Sequence, residues 1–391
     1  MEKTKVRTLI RQVRGVSYKP EDLHNELDDN SVILLRANNI DEGKINFDDV
    51  VYVDKSKVSD EQYLKDGDIL ICASSGSKNL VGKAASIRLN MECTFGAFCK
   101  VVRPKEGIEE YLGVYFQSPI YRRKISEVAI GANINNIRNE HIDELDIPVF
   151  SNDEQVSIAK RMHLIQEVIS NRKAELEKLD DLIKARFVEM FGDPISNPKG
   201  WDRIELGRLT DVGSSKRIFE KEYVSEGIPF YRTKEIVELS KGNSISTELY
   251  ITEERFSEIK EKYGTPKAGD LLISAVGTIG IIWIVDGKND FYFKDGNLIK
   301  VDSSEKFNSV YMKNLLEYLI DEYKKQMSSG TAYAALTISG LVKMKVYDVP
   351  LKLQDEFAAF VHQVDKSKVV VQKALDETQI LFNSLMQQYF G

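Results

Sequence analysis

The sequence predicts an α+β fold built twice: two similar mixed α/β heads, joined and spaced by two long antiparallel coiled-coil helices, as a pseudo-two-fold internal repeat. Three observations predict it. The phrase "DGDILICASSG" (Asp66–Gly76) returns half a chain later as "AGDLLISAVG" (Ala268–Gly277). Other landmarks return in the same order. Two stretches, 151–191 and 353–391, run without glycine or proline to their ends and carry an apolar heptad.

The repeat is in register along its whole length. Asp68 and Asp270 lie 202 residues apart, as do Pro148 and Pro350, and Glu154 and Glu356. Arg36 and Arg232 are 196 apart, Tyr52 and Tyr250 198, Gly131 and Gly330 199, and Gly192 and Gly391 199. One such match arises by chance; this many in order mark an internal duplication. Residues 1–150 are the first head and 151–192 the central helix. Residues 193–352 are the second head and 353–391 the C-terminal helix.

Within each head, "DILICAS", "CKVVRP", "DLLISAV" and "GIIWIVD" are short β-branched runs bounded by turn residues, and read as strands. The Gly-Asp step before the first and third reads as a structural turn. The small-residue loops that follow, "SSGSKNLVGK" and "SAVGTIG", let main-chain N–H groups approach phosphates.

The helices show alternating spacings of four and three. Ile158, Met162, Ile165, Ile169, Arg172, Leu176, Leu179, Ile183, Arg186 and Met190 form one seam. Phe357, Val361, Val364, Lys368, Val371, Leu375, Thr378, Phe382, Leu385 and Tyr389 form the other. Such seams pack knobs into holes, and polar breaks in them fix register. One chain contains both partners, which favours an intrachain pair over a plain intersubunit coiled coil.

At 391 residues the chain is long for one core and comfortable for two. Its 42% hydrophobic and 29% charged residues are ordinary for a folded globular chain. No stretch approaches the ~18 apolar residues that span a bilayer. The start, "MEKTKVRTLI", lacks an apolar run after its charges, so no secretory signal and a cytoplasmic location are expected. Cys72, Cys93 and Cys99 show no C-x-x-C spacing and read as reduced core residues; His24, His141, His163 and His362 are scattered. The net charge of −7 excludes a uniformly basic nucleic-acid binder. Positive charge must be confined to one face or come from partners.

The ordered landmarks resemble the specificity (S) subunit of type I restriction–modification enzymes. The resemblance rests on the Gly67–Leu70 and Gly269–Leu272 strands, the Pro148 and Pro350 steps, and the acidic helix starts at Asp153–Glu154 and Asp355–Glu356. Its most specific piece is "RFVEMFGDP" (Arg186–Pro194), and it covers the whole chain. It implies two target-recognition domains, each reading one half of a bipartite, asymmetric target on double-stranded DNA. It also implies spacer helices that set the distance and dock two methylation (M) subunits, with restriction (R) subunits joining the assembled complex. Methylation and cleavage belong to the other subunits, so a non-catalytic chain without cofactor or metal is expected.

The residues agree. "GSKNLVGKA" (Gly76–Ala84) fails as a P-loop: five residues separate the glycines, and Ala84 stands where a hydroxyl would hold Mg²⁺. The sequence contains no N-P-P-[FY] amino-methyltransferase motif and no clear nuclease carboxylate–lysine cluster. Candidate DNA contacts in the first head are Tyr18, Lys19, Arg36, Asn38, Asn39, Ser75, Ser77, Lys78, Lys83, Asn133 and Asn135. In the second they are Lys216, Arg217, Arg232, Thr233, Lys234, Thr278, Thr331 and Tyr333. Asn pairs bidentately with adenine and Arg with guanine, which selects these types. "YRRK" (Tyr121–Lys124) meets phosphates or faces water. Two other classes remain open: a coiled-coil adaptor with two protein-binding heads, and an S-like subunit of a type IIB-like restriction system.

Overall fold

The computed structural model describes residues 2–77, 80–88, 91–131, 136–245, 249–327 and 335–391, without the side chains of 128–131 and 326–327. The chain divides into two units, 1–174 with 372–391, and 175–371.

In the first unit one four-stranded antiparallel sheet has the order Ile10–Arg14, Cys99–Pro104, Ile69–Cys72, Ala84–Ser86. A second sheet places Cys93–Phe95 parallel to Ser31–Leu35, followed by Val51–Asp54 and Leu23–His24 in antiparallel pairing. Strand Ile69–Cys72 explains why its sequence is apolar at every position. Ile69 and Ile71 face the helices, whereas Leu70 and Cys72 face the second sheet, so both sides are buried.

The second unit repeats this pattern. Its four-stranded sheet runs Val212–Gly213, Leu298–Val301, Leu271–Ser274, Ile282–Ile284. Tyr292–Phe293 lies parallel to Ile228–Tyr231, which pairs antiparallel with Tyr250–Ile251. Leu271 and Ile273 face helices and Leu272 faces the aromatic cluster around Trp283. A short outer pair also recurs, Lys3–Lys5 with Asp146–Pro148 and Arg203–Glu205 with Lys345–Tyr347.

The Gly-Asp turns share their glycine conformation and their local backbone hydrogen bonds. Gly67 and Gly269 sit at φ of +83° and +89°, a region open to glycine. The N–H groups of Lys65 and Lys267 donate to the Asp68 and Asp270 carboxylates at 2.9 and 2.8 Å. The Asp68 and Asp270 carbonyls accept from Ile87 and Val285 at 2.7 and 2.8 Å. These turns therefore aim an interior strand.

The long helices span Asn152–Phe191 and Leu351–Phe390, 40 residues each, or about 60 Å at 1.5 Å per residue. Ser151 and Glu154 form a capping box at the first start. At its end Lys199 Nζ donates to the Glu189 and Met190 carbonyls, and Trp201 Nε1 to that of Phe191. The helices pair antiparallel within one chain. In the first unit Ile158 and Met162 pack with Met386 and Phe390, and Arg161 donates to the Tyr389 hydroxyl. In the second, Phe357 meets the rings of Phe187 and Phe191 at 5.4 and 5.6 Å between centroids.

The seam is broader than the heptads alone describe. Phe187, Phe191, Met386 and Phe390 lie beside it and are fully buried, because the helix ends also cover the heads. Two of its polar breaks find partners on the other helix: Lys368 pairs with Asp180 at 2.6 Å, and Arg186 lies over the Phe360 ring. Among the described residues, no helix is long and apolar enough to cross a membrane.

Candidate nucleic-acid interface

In the first head four strands finish at one edge, and backbone hydrogen bonds tie their loops together. Gly96 N–H donates to Leu35 O at 2.9 Å, Val16 to Phe95 at 2.7 Å, and Ala97 to Val16 at 2.9 Å. Ala73 and Ser74 both donate to the Phe98 carbonyl. The loops carrying Tyr18 and Lys19, Arg36 to Asn39, and Ser75 and Ser77 therefore leave from neighbouring points.

Tyr18 is half-buried against the Val16–Val32 cluster. Lys19 is exposed, its Nζ 3.6 Å from Glu21; its backbone N–H, with Lys57 behind, holds the Asp22 carboxyl below its ordinary range. Arg36 Nη2 donates to the Asp49 carboxylate at 3.0 Å, and Asn38 Nδ2 to the same oxygen at 2.7 Å. Asn39 is buried. Its amide donates to the Asn46 and Asp49 carbonyls and its oxygen accepts from Arg36 N–H, so it shapes this loop from inside. Ser75 accepts from Ser77 N–H, and Ser77 is exposed. Lys83 instead lines a cleft of about 930 Å³ whose wall includes Lys44, Arg88 and Lys173. Lys78, Asn133 and Asn135 lie outside the described residues.

The second head converges the same way. Lys294 N–H donates to Tyr231 O at 2.9 Å and Ala275 N–H to Asn297 O at 2.8 Å. Lys216 is exposed over the Tyr263 ring, and Arg217 Nε donates to Asp295 at 2.8 Å. Arg232 Nη2 donates to Glu235 at 2.9 Å, and its backbone N–H reaches the same carboxylate at 2.8 Å. Burial pushes the Glu235 carboxyl up, but the hydrogen bonds from Arg232 outweigh it and hold it below the ordinary glutamate value. The Thr233 hydroxyl is buried with no partner among the described residues. Lys234 and Thr278 are exposed. Thr331 and Tyr333 lie outside the described residues.

Of the "YRRK" helix segment, Tyr121 is core, Arg122 donates to the Val81 carbonyl at 2.7 Å, and Arg123 is exposed. Sequence reasoning missed Phe98, 71% exposed on the turn where the first head's loops meet. It also missed the carboxylates Asp49, Glu235 and Asp295. Nothing local to "GAFCK" or "FDDV" signals Phe98 or Asp49, and Asp295 meets Arg217 from 78 residues away; Glu235 alone had a local signal, standing three residues after Arg232 at a helix start. Among the described residues, no group of three or more His, Cys, Asp or Glu could hold a metal ion.

Both heads match one family model, the type I restriction modification DNA specificity domain, at residues 19–179 and 198–378. The chain is 28% identical over 412 residues to the type I restriction enzyme StySPI specificity subunit of Salmonella potsdam, covering 98% of this chain and 86% of that protein. It is 41% identical over 180 residues to the EcoKI specificity subunit of Escherichia coli K12, covering 46% of this chain and 39% of the other. In fold it resembles the crystal structure of the type I restriction–modification S subunit from M. genitalium. That match has a TM-score of 0.55 at 18% identity and covers 100% of this chain and 96% of the other. With the family model matched in both copies, this chain belongs to the type I restriction–modification DNA specificity family.

Proposed function

We propose that this chain is the non-catalytic specificity subunit of a type I restriction–modification complex. Residues 1–150 and 193–352 act as target-recognition domains, each reading one half of a bipartite, asymmetric target on double-stranded DNA. Residues 151–192 and 353–391 set the spacing and dock two methylation subunits, and restriction subunits join through the assembled complex.

One observation carries this reading. The same edge of each head gathers four strand ends, and the loops there present Arg, Lys, Asn and Ser in different combinations. Duplicated scaffolds with unlike loops suit two unlike half-sites. In the first head the reading residues are Lys19, Arg36, Asn38 and Ser77, joined by Phe98, whose ring offers apolar contact to a base. In the second they are Lys216, Arg217, Arg232, Lys234 and Thr278. Asn39 positions its loop instead.

Replacing residues 1–150 with the first head of another specificity subunit tests it. Sequencing of methylated bases in the host is expected to show one half of the target changed and the other retained. A swap that altered both halves, or neither, would sink the two-reader assignment.

A further inference from the structure

Arg36 and Arg232 occupy equivalent positions, each directly after the strand that pairs in parallel with Cys93–Phe95 or Tyr292–Phe293. In each head a side chain three residues on accepts the arginine's backbone N–H: Asn39 in the first, Glu235 in the second. In each head a carboxylate also holds the guanidinium. Glu235 does both tasks in the second head. In the first, Asn39 has no charge to offer, and Asp49, thirteen residues downstream of Arg36, supplies it. The residue at the cap has diverged, yet the arginine keeps a carboxylate drawn from a different place in the chain.

Stability does not account for the first-head pair. The Asp49 side chain is 74% exposed, and exposed ion pairs contribute little. Orientation does account for it. A guanidinium reads guanine through two parallel N–H donors, which requires a fixed plane. An arginine left free must lose its rotamer freedom on binding; one already held has lost it beforehand. Asp49 Oδ2 also accepts from Asn38 Nδ2, so one oxygen orients two reading side chains.

We propose that Asp49 and Glu235 are positioning residues for recognition, holding Arg36 with Asn38, and Arg232, in the poses that select bases. This rests on the reading of the heads as target-recognition domains. Asp49 touches no base; it acts through Arg36 and Asn38.

The test uses the full chain co-expressed with its methylation subunits, with methylated bases sequenced across the host genome. D49N preserves shape and removes the charge. It is expected to raise methylation of sites carrying one wrong base pair in the first half by about tenfold, the scale of one bidentate base contact. The second half should stay strict and the unfolding midpoint unchanged. Added to the R36A/N38A variant, D49N should change nothing more. A D49N target as strict as wild type would overturn the proposal. So would a uniform rise at all sites, which is the signature of removing a negative charge near DNA. If R36A/N38A itself leaves the first half-site intact, the reading of this loop as a DNA contact fails first, and the positioning role with it.

Discussion

Arg103 grips Asp68 by both carboxylate oxygens, Nε to Oδ1 at 2.8 Å and Nη2 to Oδ2 at 2.7 Å, while Nη2 also donates to the Tyr63 carbonyl. Asp68 is 1% exposed. The duplicate is built differently. Asp270 accepts from the N–H of Lys267 and Ser303 at 2.8 Å each, and its nearest cation, Lys300 at 3.8 Å, sits closer to Asp302 at 2.6 Å. The same turn thus depends on a bidentate ion pair in one head and on backbone donors in the other.

Arg103→Met is therefore expected to cost about 3 kcal/mol, because it strands a buried carboxylate. Lys300→Met should cost less than about 1 kcal/mol, since Asp270 keeps two N–H donors. Urea unfolding of the two variants, followed by probes in each head, checks the order. Equal costs would show that Arg103 is not the principal partner of Asp68.

The repeat was legible because its landmarks are the residues that geometry constrains most. Gly67 and Gly269 need a positive φ, and strands buried on both faces allow only apolar residues. The helices were legible through their heptads. The parallel pairing of Ser31–Leu35 with Cys93–Phe95 was not, because a three-residue strand paired with one far away in sequence leaves no periodic trace. Nor was the role of Asn39, which as a residue type suits base reading but is enclosed by the loop it supports. Exposure separates the two roles, and exposure depends on long-range topology.

The cysteines make a pH prediction. All three are buried, and burial pushes each thiol up, Cys93 to about 11. Unfolded thiols ionise near about 8.5. Between these values the unfolded chain holds fewer protons than the folded one, so stability falls as pH rises. For Cys93 the slope approaches about 1.4 kcal/mol per pH unit. Native protein at pH 8 should resist thiol reagents and expose three reactive groups in urea. Replacing Cys93 with Ala should flatten the loss measured between pH 8 and pH 10.

The proposed docking of methylation subunits also makes a prediction. Val369 and Val370 on the C-terminal helix are each 68% exposed, neighbouring apolar side chains in water. Val369→Asp with Val370→Asp should leave the unfolding free energy within about 0.5 kcal/mol of wild type for each substitution, as expected at the surface. Co-purification of the methylation subunits should fall at least tenfold. Undiminished assembly would place the docking surface elsewhere.

The charge distribution makes the last prediction. The chain carries a net −7, and three of the cations in the converging loops already face its own carboxylates: Lys19 with Glu21, Arg36 with Asp49, and Arg217 with Asp295. Phosphate neutralisation supplies most non-specific affinity and steepens salt dependence, by about 0.9 in log–log slope for each phosphate contacted. Cations already held by the chain's own carboxylates offer less net charge to phosphates. Purified by itself, it should bind DNA weakly and with a shallow salt slope. On the proposed division of labour, in which methylation subunits supply backbone contacts and the loops supply base contacts, adding those subunits should at least double that slope. Fluorescence anisotropy on a duplex containing the target, titrated from about 50 to 200 mM salt, reads both quantities. Tight, sequence-specific binding by the single chain near physiological salt would show that the two edges carry the phosphate contacts as well.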